Sequence, residues 1–250
     1  MRPHETIRGR VLYTSRKPER ANAERGREEF LITKHGDGRR TIRAHCEIDD
    51  APNVMRDVVL TLDKDWITRD GFVRLAVGDE TSGSSWYRFH DDHAICEGWL
   101  ANGGRISQRI DYSRPGELFG AHPIQGDAWH LHSLDLARGP HVKVFDEFLM
   151  TSLDHRGATG PELVWHDAGM IVEFIGREEL TVAAGTFDAL HFCYGDRSKN
   201  TEGSADGDHP VYDIWVTDDG DYILLKAQVG GYMMTHYELT ELERIPGDAG

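Results

Sequence analysis

Alternation of apolar and polar residues is the dominant pattern along the chain. In residues 41–49 the apolar side chains fall on one face, and these are Ile42, Ala44, Cys46 and Ile48. A period of two is typical of a strand with one buried face. Similar alternation occurs at 6–14, 27–34, 54–62, 71–77, 85–90, 93–99, 105–111, 141–150, 169–176, 186–194, 210–217, 221–229 and 232–242. The pattern therefore predicts an all-β protein.

Tight turns are predicted between several of these segments. Asp37-Gly38, Asn102-Gly103 and Asp219-Gly220 each lie between two alternating segments, and such pairs accept the positive φ angles of hairpin turns. Many short strands joined by tight turns indicate antiparallel pairing. We expect a single antiparallel β-barrel or a strongly curved sheet.

One segment near the middle of the chain lacks the period of two. Asp127 is a suitable N-cap, Gly139 a suitable residue after a helix, and Pro140 cannot continue one. The sequence predicts one helix over 127–138, which lies between a β-half at 1–120 and another at 140–245. No linker separates the halves, so we expect a single domain over 1–250.

The second half contains a spaced series of motifs. They are Gly176-Arg-Glu178, Val182-Ala-Ala-Gly185-Thr-Phe187-Asp-Ala189, Asp213-Ile-Trp215 and Tyr237-Glu238-Leu239, preceded by the predicted helix with Ser133-Leu134 inside it. Over about residues 122–242 the series resembles a bacterial family of lipocalin-like β-barrel domains of unknown function. The resemblance implies a barrel fold and supplies no catalytic residue.

Charge and cysteine content narrow the classes of partner. The chain has 250 residues with 28 Lys and Arg against 43 Asp and Glu, a formal charge of −15. This charge disfavours nucleic acid and anionic membranes. No segment approaches the roughly 18 apolar residues of a membrane span. Three cysteines far apart and an N-terminus without an apolar run favour the cytoplasm.

Cofactor and metal motifs are missing from the chain. It contains no G-x-S-x-G, H-E-x-x-H, phosphate-loop or dinucleotide fingerprint, so we expect no cofactor. Among 14 histidines, His130 and His132 are the most suggestive pair. On a helix their rings point about 200° apart and cannot chelate one ion. We therefore predict no metal site, and a His-ligated metalloenzyme is the weaker alternative.

Polar residues at alternate positions of several strands could line a lumen. Within a barrel they would form one pocket, where burial shifts pKa values toward neutrality. The predicted catalytic residues are His191 as base, Glu97 as its acidic counterpart, and Arg56 or Arg88 for an oxyanion. The predicted substrate-binding residues are His45, Glu47, Trp86, Asp213, Trp215 and Tyr237. The alternative is that these residues lie on solvent faces and that His191 is structural.

Two classes of function fit these features. The first is a cofactor-independent isomerase, lyase, hydratase or cyclase that acts on a small apolar or aromatic molecule inside the barrel. The second is a non-catalytic protein that binds or carries a small hydrophobic ligand. A structure in which no cavity reaches His191 would favour the second. The oligomeric state stays open, with a homodimer as one option.

Overall fold

The structure is a computed structural model that describes residues 4–113, 118–146, 148–166, 169–197 and 210–247. Its main element is a sheet of 14 strands, all paired antiparallel. The strands are β1 (His4–Ser15), β2 (Glu24–His35), β3 (Arg40–Ile48), β4 (Val54–Leu62), β5 (Thr68–Val77), β6 (Glu80–Phe89), β7 (His93–Leu100), β8 (Gly104–Asp111), β10 (His141–Phe145), β13 (Met170–Val182), β14 (Gly185–Tyr194), β15 (Tyr212–Thr217), β16 (Leu224–Val229) and β17 (Thr235–Ile245). The small strands β9 (Phe119–Gly120), β11 (Phe148–Met150) and β12 (Val164–His166) form a second sheet.

The all-β prediction is confirmed. Each of the fourteen alternating segments overlaps one strand of the main sheet, and the three predicted turn pairs lie between consecutive strands. Gly38 and Gly220 adopt φ angles of 90° and 82°, which residues with a Cβ rarely reach. Alternation succeeded because one face of nearly every strand is buried.

The main sheet is strongly curved and is not a closed barrel. The strand order is β10-β13-β14-β15-β16-β17-β1-β2-β3-β4-β5-β6-β7-β8, so β10 and β8 are its two edge strands. Strands β1–β8 and β13–β17 nevertheless contribute to one hydrophobic core. The segment between β8 and β13 fills the space that the sheet surrounds. Its buried apolar residues include Leu118, Phe119, Ile124, Ala128, Trp129, Leu131, Leu134, Phe148, Leu149 and Leu163.

The helix prediction was right in place and wrong in extent. The α-helix α1 spans Ile124–His130, and two short 3-10 turns follow at Leu131–Ser133 and Leu136–Arg138. Pro123 precedes the helix, so Asp127 lies inside α1 and is not its cap. Asp135 caps the last 3-10 turn by accepting a hydrogen bond from the Ala137 amide. Within the described residues, no helix has both the length and the apolarity needed to cross a membrane.

Candidate binding site at one end of the curved sheet

Helix α1 is held inside the sheet by buried polar contacts. Glu28 on β2 is fully buried and accepts hydrogen bonds from the amides of Ile124 and Gln125 at 2.7 and 3.1 Å. These amides belong to the first turn of α1, where backbone donors lack partners within the helix. Glu28 also accepts from the Tyr13 hydroxyl at 3.1 Å. A side chain from a distant strand therefore replaces the missing local cap.

The opposite side of α1 is attached to the turn between β15 and β16. The Gln125 side chain donates to the Tyr222 carbonyl at 2.9 Å and accepts from the Leu224 amide at 3.0 Å. The Trp129 indole donates to the Asp221 carbonyl at 3.2 Å. Attached on both sides, α1 presents Gly126, Trp129 and His130 toward one end of the sheet.

An apolar cleft, here called the Trp66 cleft, lies at that end. It is lined by Leu60, Leu62, Trp66, Thr68, Phe119, Gly126, Trp129, His130 and His132. A second cleft, the Leu149 cleft, adjoins it through Thr68 and Phe119 and is lined also by Ile67, Phe89, Tyr112, Leu118 and Leu149. Each has a free volume of about 10 Å³. This is room for about one water, so each of the two clefts is nearly filled by its own side chains.

The Trp66 side chain lines its cleft and packs against aromatic and cationic groups. Its indole stacks on His132 with ring centres 5.0 Å apart, and the Arg40 guanidinium lies 3.9 Å from the centre of the Trp66 ring. Trp129 and Tyr222 make T-shaped contacts with the Trp66 ring, with ring centres 5.8 and 5.6 Å from that of Trp66. Trp66 is only partly buried. An aromatic ring therefore already occupies a slot built from aromatic and cationic groups.

Local chemistry in the β4–β5 turn places Trp66 there. The Asp63 carboxylate accepts hydrogen bonds from the amides of Asp65 and Ile67, and from Arg69 Nε at 2.7 Å. The turn puts Trp66 at a φ of 66°, a region that large side chains rarely adopt. Such backbone strain is found preferentially at binding sites and switch regions.

The histidines of α1 and its extension line this cleft, and each donates a hydrogen bond to a backbone carbonyl. His130 Nε2 donates to the Phe119 carbonyl at 3.2 Å, and His132 Nδ1 donates to the Trp129 carbonyl at 2.7 Å. Burial lowers the pKa of His130 to about 4, so its ring is neutral. Within the described residues, no group of three or more His, Cys, Asp or Glu could hold a metal ion.

A partly buried carboxyl, that of Asp127, lies on the inner side of the same helix. Asp127 accepts a hydrogen bond from the Tyr212 hydroxyl at 3.2 Å, and its carbonyl accepts from the Tyr194 hydroxyl at 2.7 Å. Burial, assisted by the negative charge of Glu28, raises the pKa of Asp127 to about 7. Burial also raises the pKa of Glu28, although its amide donors act in the opposite direction.

Most of the predicted site residues in the first half lie on the outer face. His45, Glu47, Arg88, Trp86 and Glu97 alternate with the buried residues of β3, β6 and β7. Trp86 is 66% exposed. Glu97 accepts from Ser107 at 2.6 Å and pairs with Arg105 at 3.2 Å, and these two contacts lower the pKa of its carboxyl. The expectation that these five residues face a lumen is wrong.

Arg56 and Tyr237 are the two predicted residues that point inward. Arg56 is buried and donates to the Arg156 carbonyl, not to its neighbour in sequence Asp57, which lies on the outer face. Tyr237 packs edge-on against Tyr13 with ring centres 4.7 Å apart. Burial raises the pKa of Tyr237 to about 12. Because Arg56 is buried and Arg88 is exposed on the outer face, the two arginines lie on opposite faces of the sheet and cannot serve one oxyanion.

Three predicted residues do come together, on the outer face of β14 and β15. His191 Nε2 lies 2.8 Å from Asp213 Oδ1, and the His191 ring stacks on Trp215 at 4.1 Å. The Trp215 indole donates to Glu178 at 2.6 Å. Hydrogen bonds from His191 and Arg197 lower the pKa of Asp213, outweighing the effect of burial. Neither cleft at the sheet end includes these residues.

His191 and Glu97, predicted to act together, do not meet, because Glu97 contacts Ser107 and Arg105 whereas His191 contacts Asp213 and Trp215. The alternation of apolar and polar residues could not show in advance which face of each strand points into the space that the sheet surrounds. Sequence reasoning did not connect Trp66, Arg40 and Tyr222, which come from the β4–β5 turn, the start of β3 and the β15–β16 turn and meet only in the folded chain. The one sequence signal that pointed to this cleft was His130-Leu-His132, which the sequence analysis weighed as a metal pair.

Comparisons with known proteins bear on the fold. A scan against models of protein families found no family that matches the chain, and a search of curated proteins found no relative. The structure is similar to a β-barrel-like protein of domain of unknown function DUF1849 from Brucella abortus. The two are 11% identical, with 98% of this chain and 99% of that chain covered and a TM-score of 0.55. A DUF1089 family protein from Pseudomonas aeruginosa is 12% identical over 79% of this chain and 87% of its own, with a TM-score of 0.38.

At this identity the first similarity shows the fold alone. It confirms the β-barrel-like architecture that the sequence resemblance implied, shared with a bacterial protein of unknown function. The closer, lipocalin-like relationship over residues 122–242 stays a prediction.

Proposed function

We propose that the protein binds a small, flat, largely apolar molecule at the Trp66 cleft and that it is a non-catalytic binding protein. The observation that carries the proposal is an apolar cleft in which Trp66, a half-buried aromatic side chain of a turn, packs against Arg40 and His132. Ligand sites of barrel-like proteins occur preferentially at the mouths of the barrels. The segment between β8 and β13 fills the space that the sheet surrounds. This supports a ligand site at the opening of that space over one at its centre.

The contacts of Trp66 suggest the chemistry of the ligand. The slot between Arg40 and His132 accepts a planar ring, and a ligand ring would take the place of the indole when the β4–β5 turn moves outward. Arg40 Nε is buried and has no hydrogen-bond partner among the described residues. A ligand ring that carries one acceptor oxygen would accept a hydrogen bond from Arg40 Nε. A neutral ligand would also not be repelled by the protein's net charge of −15.

The enzyme hypothesis has less support. A general base must reach the proton that it abstracts, and no described cleft at the sheet end includes His191. The binding hypothesis accords with the lipocalin-like resemblance, which remains part of this proposal. We also propose a reducing compartment, the cytoplasm, for which the three buried free thiols of Cys46, Cys96 and Cys193 are the support.

The test uses 2-naphthol as the probe and blocks the cleft from α1. A Cβ on Gly126 would meet only Pro123 atoms, at 3.8 and 3.9 Å, so Gly126→Ala introduces no clash. Gly126→Leu should fill the Trp66 cleft and abolish saturation-transfer NMR signals of 2-naphthol, whereas Gly126→Ala should weaken them. Gly126→Ala should also raise stability by about 0.5–1 kcal/mol because it removes a helical glycine, and thermal melts of both variants check that a lost signal does not reflect unfolding.

Trp86→Ala is the matched control, because it removes an indole from the outer face and leaves the cleft intact. It should bind 2-naphthol like the wild type. Failure of the wild type to bind, or unchanged binding by Gly126→Leu, would refute the proposed function.

A further inference from the structure

The outer face of β5–β7 exposes aromatic side chains that contribute little to the core. Trp86 and Trp99 are 66% and 51% exposed. Phe72 supports Trp86 from the neighbouring strand, with ring centres 5.3 Å apart. An exposed cluster of large apolar side chains usually marks a binding surface. This surface is formed by Phe72, Trp86 and Trp99 and is called the tryptophan face below.

Strand register sets the spacing of the two indoles. Trp86 lies directly opposite Glu97, and Trp99 is two residues beyond Glu97 on β7. Diagonal neighbours of this kind have Cα atoms about 7–8 Å apart. Both side chains stand on a regular antiparallel ladder, so their rings can be held by the sheet without a mobile loop. The spacing suits adjacent rings of a chain-like ligand.

Two ion pairs lie beside the tryptophan face. Arg74 lies 3.5 Å from Asp57, and Arg105 lies 3.2 Å from Glu97. These four charges compensate one another locally, although the chain carries a charge of −15. Paired groups of this kind can still donate and accept hydrogen bonds at their free positions. A neutral ligand with many hydroxyl groups matches them better than an ion does.

Lipid is a poorer match for the same surface. Acyl chains laid over the indoles would also cover Asp57, Glu97 and the arginines beside them. Removing such charged groups from water is costly. A sugar ring has an apolar C–H face for stacking and a rim of hydroxyls for the polar groups, so both parts of the surface are used.

We propose that the tryptophan face binds a neutral polysaccharide, with Trp86 and Trp99 stacking on neighbouring sugar rings. Arg88, exposed on the same face two residues after Trp86, and the Arg105–Glu97 pair would bond to hydroxyl groups at the rim. This site is separate from the Trp66 cleft and does not depend on the function proposed for it.

Affinity electrophoresis tests the proposal on the full chain. Native gels would contain hydroxyethylcellulose, laminarin or soluble starch, and the wild type should be retarded in at least one of them. Trp86→Ala and Trp99→Ala should each weaken retardation about tenfold, the change that a loss of one stacking contact of about 1.4 kcal/mol produces. Trp86→Tyr should restore part of it, because it retains a ring.

Gly126→Leu is the control, since it fills the Trp66 cleft and leaves the tryptophan face untouched. Its retardation should equal that of the wild type. The proposal is overturned if none of the three polysaccharides retards the wild type, or if both alanine variants run like it. It is also overturned if size-exclusion chromatography shows a dimer that Trp86→Ala dissociates, because the face would then be an interface between copies.

Discussion

Acidic residues occur in two contrasting settings, beneath helix α1 and on the outer face of β3–β5. Glu28 is fully buried and Asp127 is partly buried, and removal from water raises the pKa of each. On the outer face, Asp57 and Glu47 lie 2.7 and 3.0 Å from the two nitrogens of His45, whose side chain is 42% exposed. Hydrogen bonds to these carboxylates raise the pKa of His45 and outweigh its partial burial.

The comparison teaches that similar polar networks contribute differently to the free energy of unfolding. The buried carboxyls satisfy donors that water cannot reach, so removing one leaves several groups without partners. The outer network exchanges its contacts with water at little cost. Three predictions test this difference, in order of expected effect.

The largest effect is expected for Glu28→Ala. The substitution leaves the Ile124 and Gln125 amides and the Tyr13 hydroxyl without their acceptor. Each buried donor left unsatisfied costs about 1–3 kcal/mol, so the free energy of unfolding should fall by roughly 3–5 kcal/mol. Urea denaturation measures this. Glu28→Gln keeps one acceptor oxygen and should lose less; a loss below about 1 kcal/mol in the alanine variant would contradict a capping role.

The second prediction concerns pH. The folded pKa of Asp127, about 7, lies above its ordinary value of 3.8, so the folded state holds a proton that the unfolded state releases between these values. Stability from this group is therefore present at low pH and is lost as pH rises toward 7. His130 acts in the opposite direction, because its folded pKa of about 4 lies below the ordinary 6.5 and its contribution is lost as pH falls.

Asp127→Asn removes one of these opposing contributions. The unfolding free energy of the variant minus that of the wild type should increase by about 2.5 kcal/mol between pH 5 and pH 7.5. Thermal and urea melts of both proteins at the two pH values measure the change. A pH-independent difference would show that Asp127 is ionised throughout, contrary to its buried position.

The smallest effect is expected for His45→Ala on the outer face. Exposed ion pairs contribute about 0.2–1 kcal/mol, so the loss of unfolding free energy should stay within that range. Added salt should reduce it further, because exposed charges are screened. A loss comparable with that of Glu28→Ala would abolish the distinction between the two regions.

Sequence reasoning recovered the sheet better than the site. The fourteen segments were located because alternation directly records which side chains a strand buries. The same alternation is silent on whether a polar stripe faces a lumen or the solvent. Ile42, Ala44 and Cys46 turned out to be core, which placed His45 and Glu47 outside. Only the direction in which the sheet curves decides between these outcomes.

The candidate site depended on contacts between distant parts of the chain. Trp66 meets Arg40 from the start of β3, His132 from the segment after α1, and Tyr222 from the β15–β16 turn. The position of α1 depended on Glu28, about a hundred residues earlier in the chain. A helix of seven residues has little stability of its own, so its start was set by these contacts and not by the local capping signal at Asp127.

The sequence by itself determined the fold class, the strand segments and the hairpin turns, because these depend on the period of burial and on backbone conformations that a few neighbouring residues control. The tertiary structure decided which face is inside, that the sheet ends at β8 and β10 without closing, and that the central segment fills the interior. It also decided which polar groups meet. Those outcomes depend on how a long sheet curves and packs on the segment it surrounds, and no local pattern contains that information.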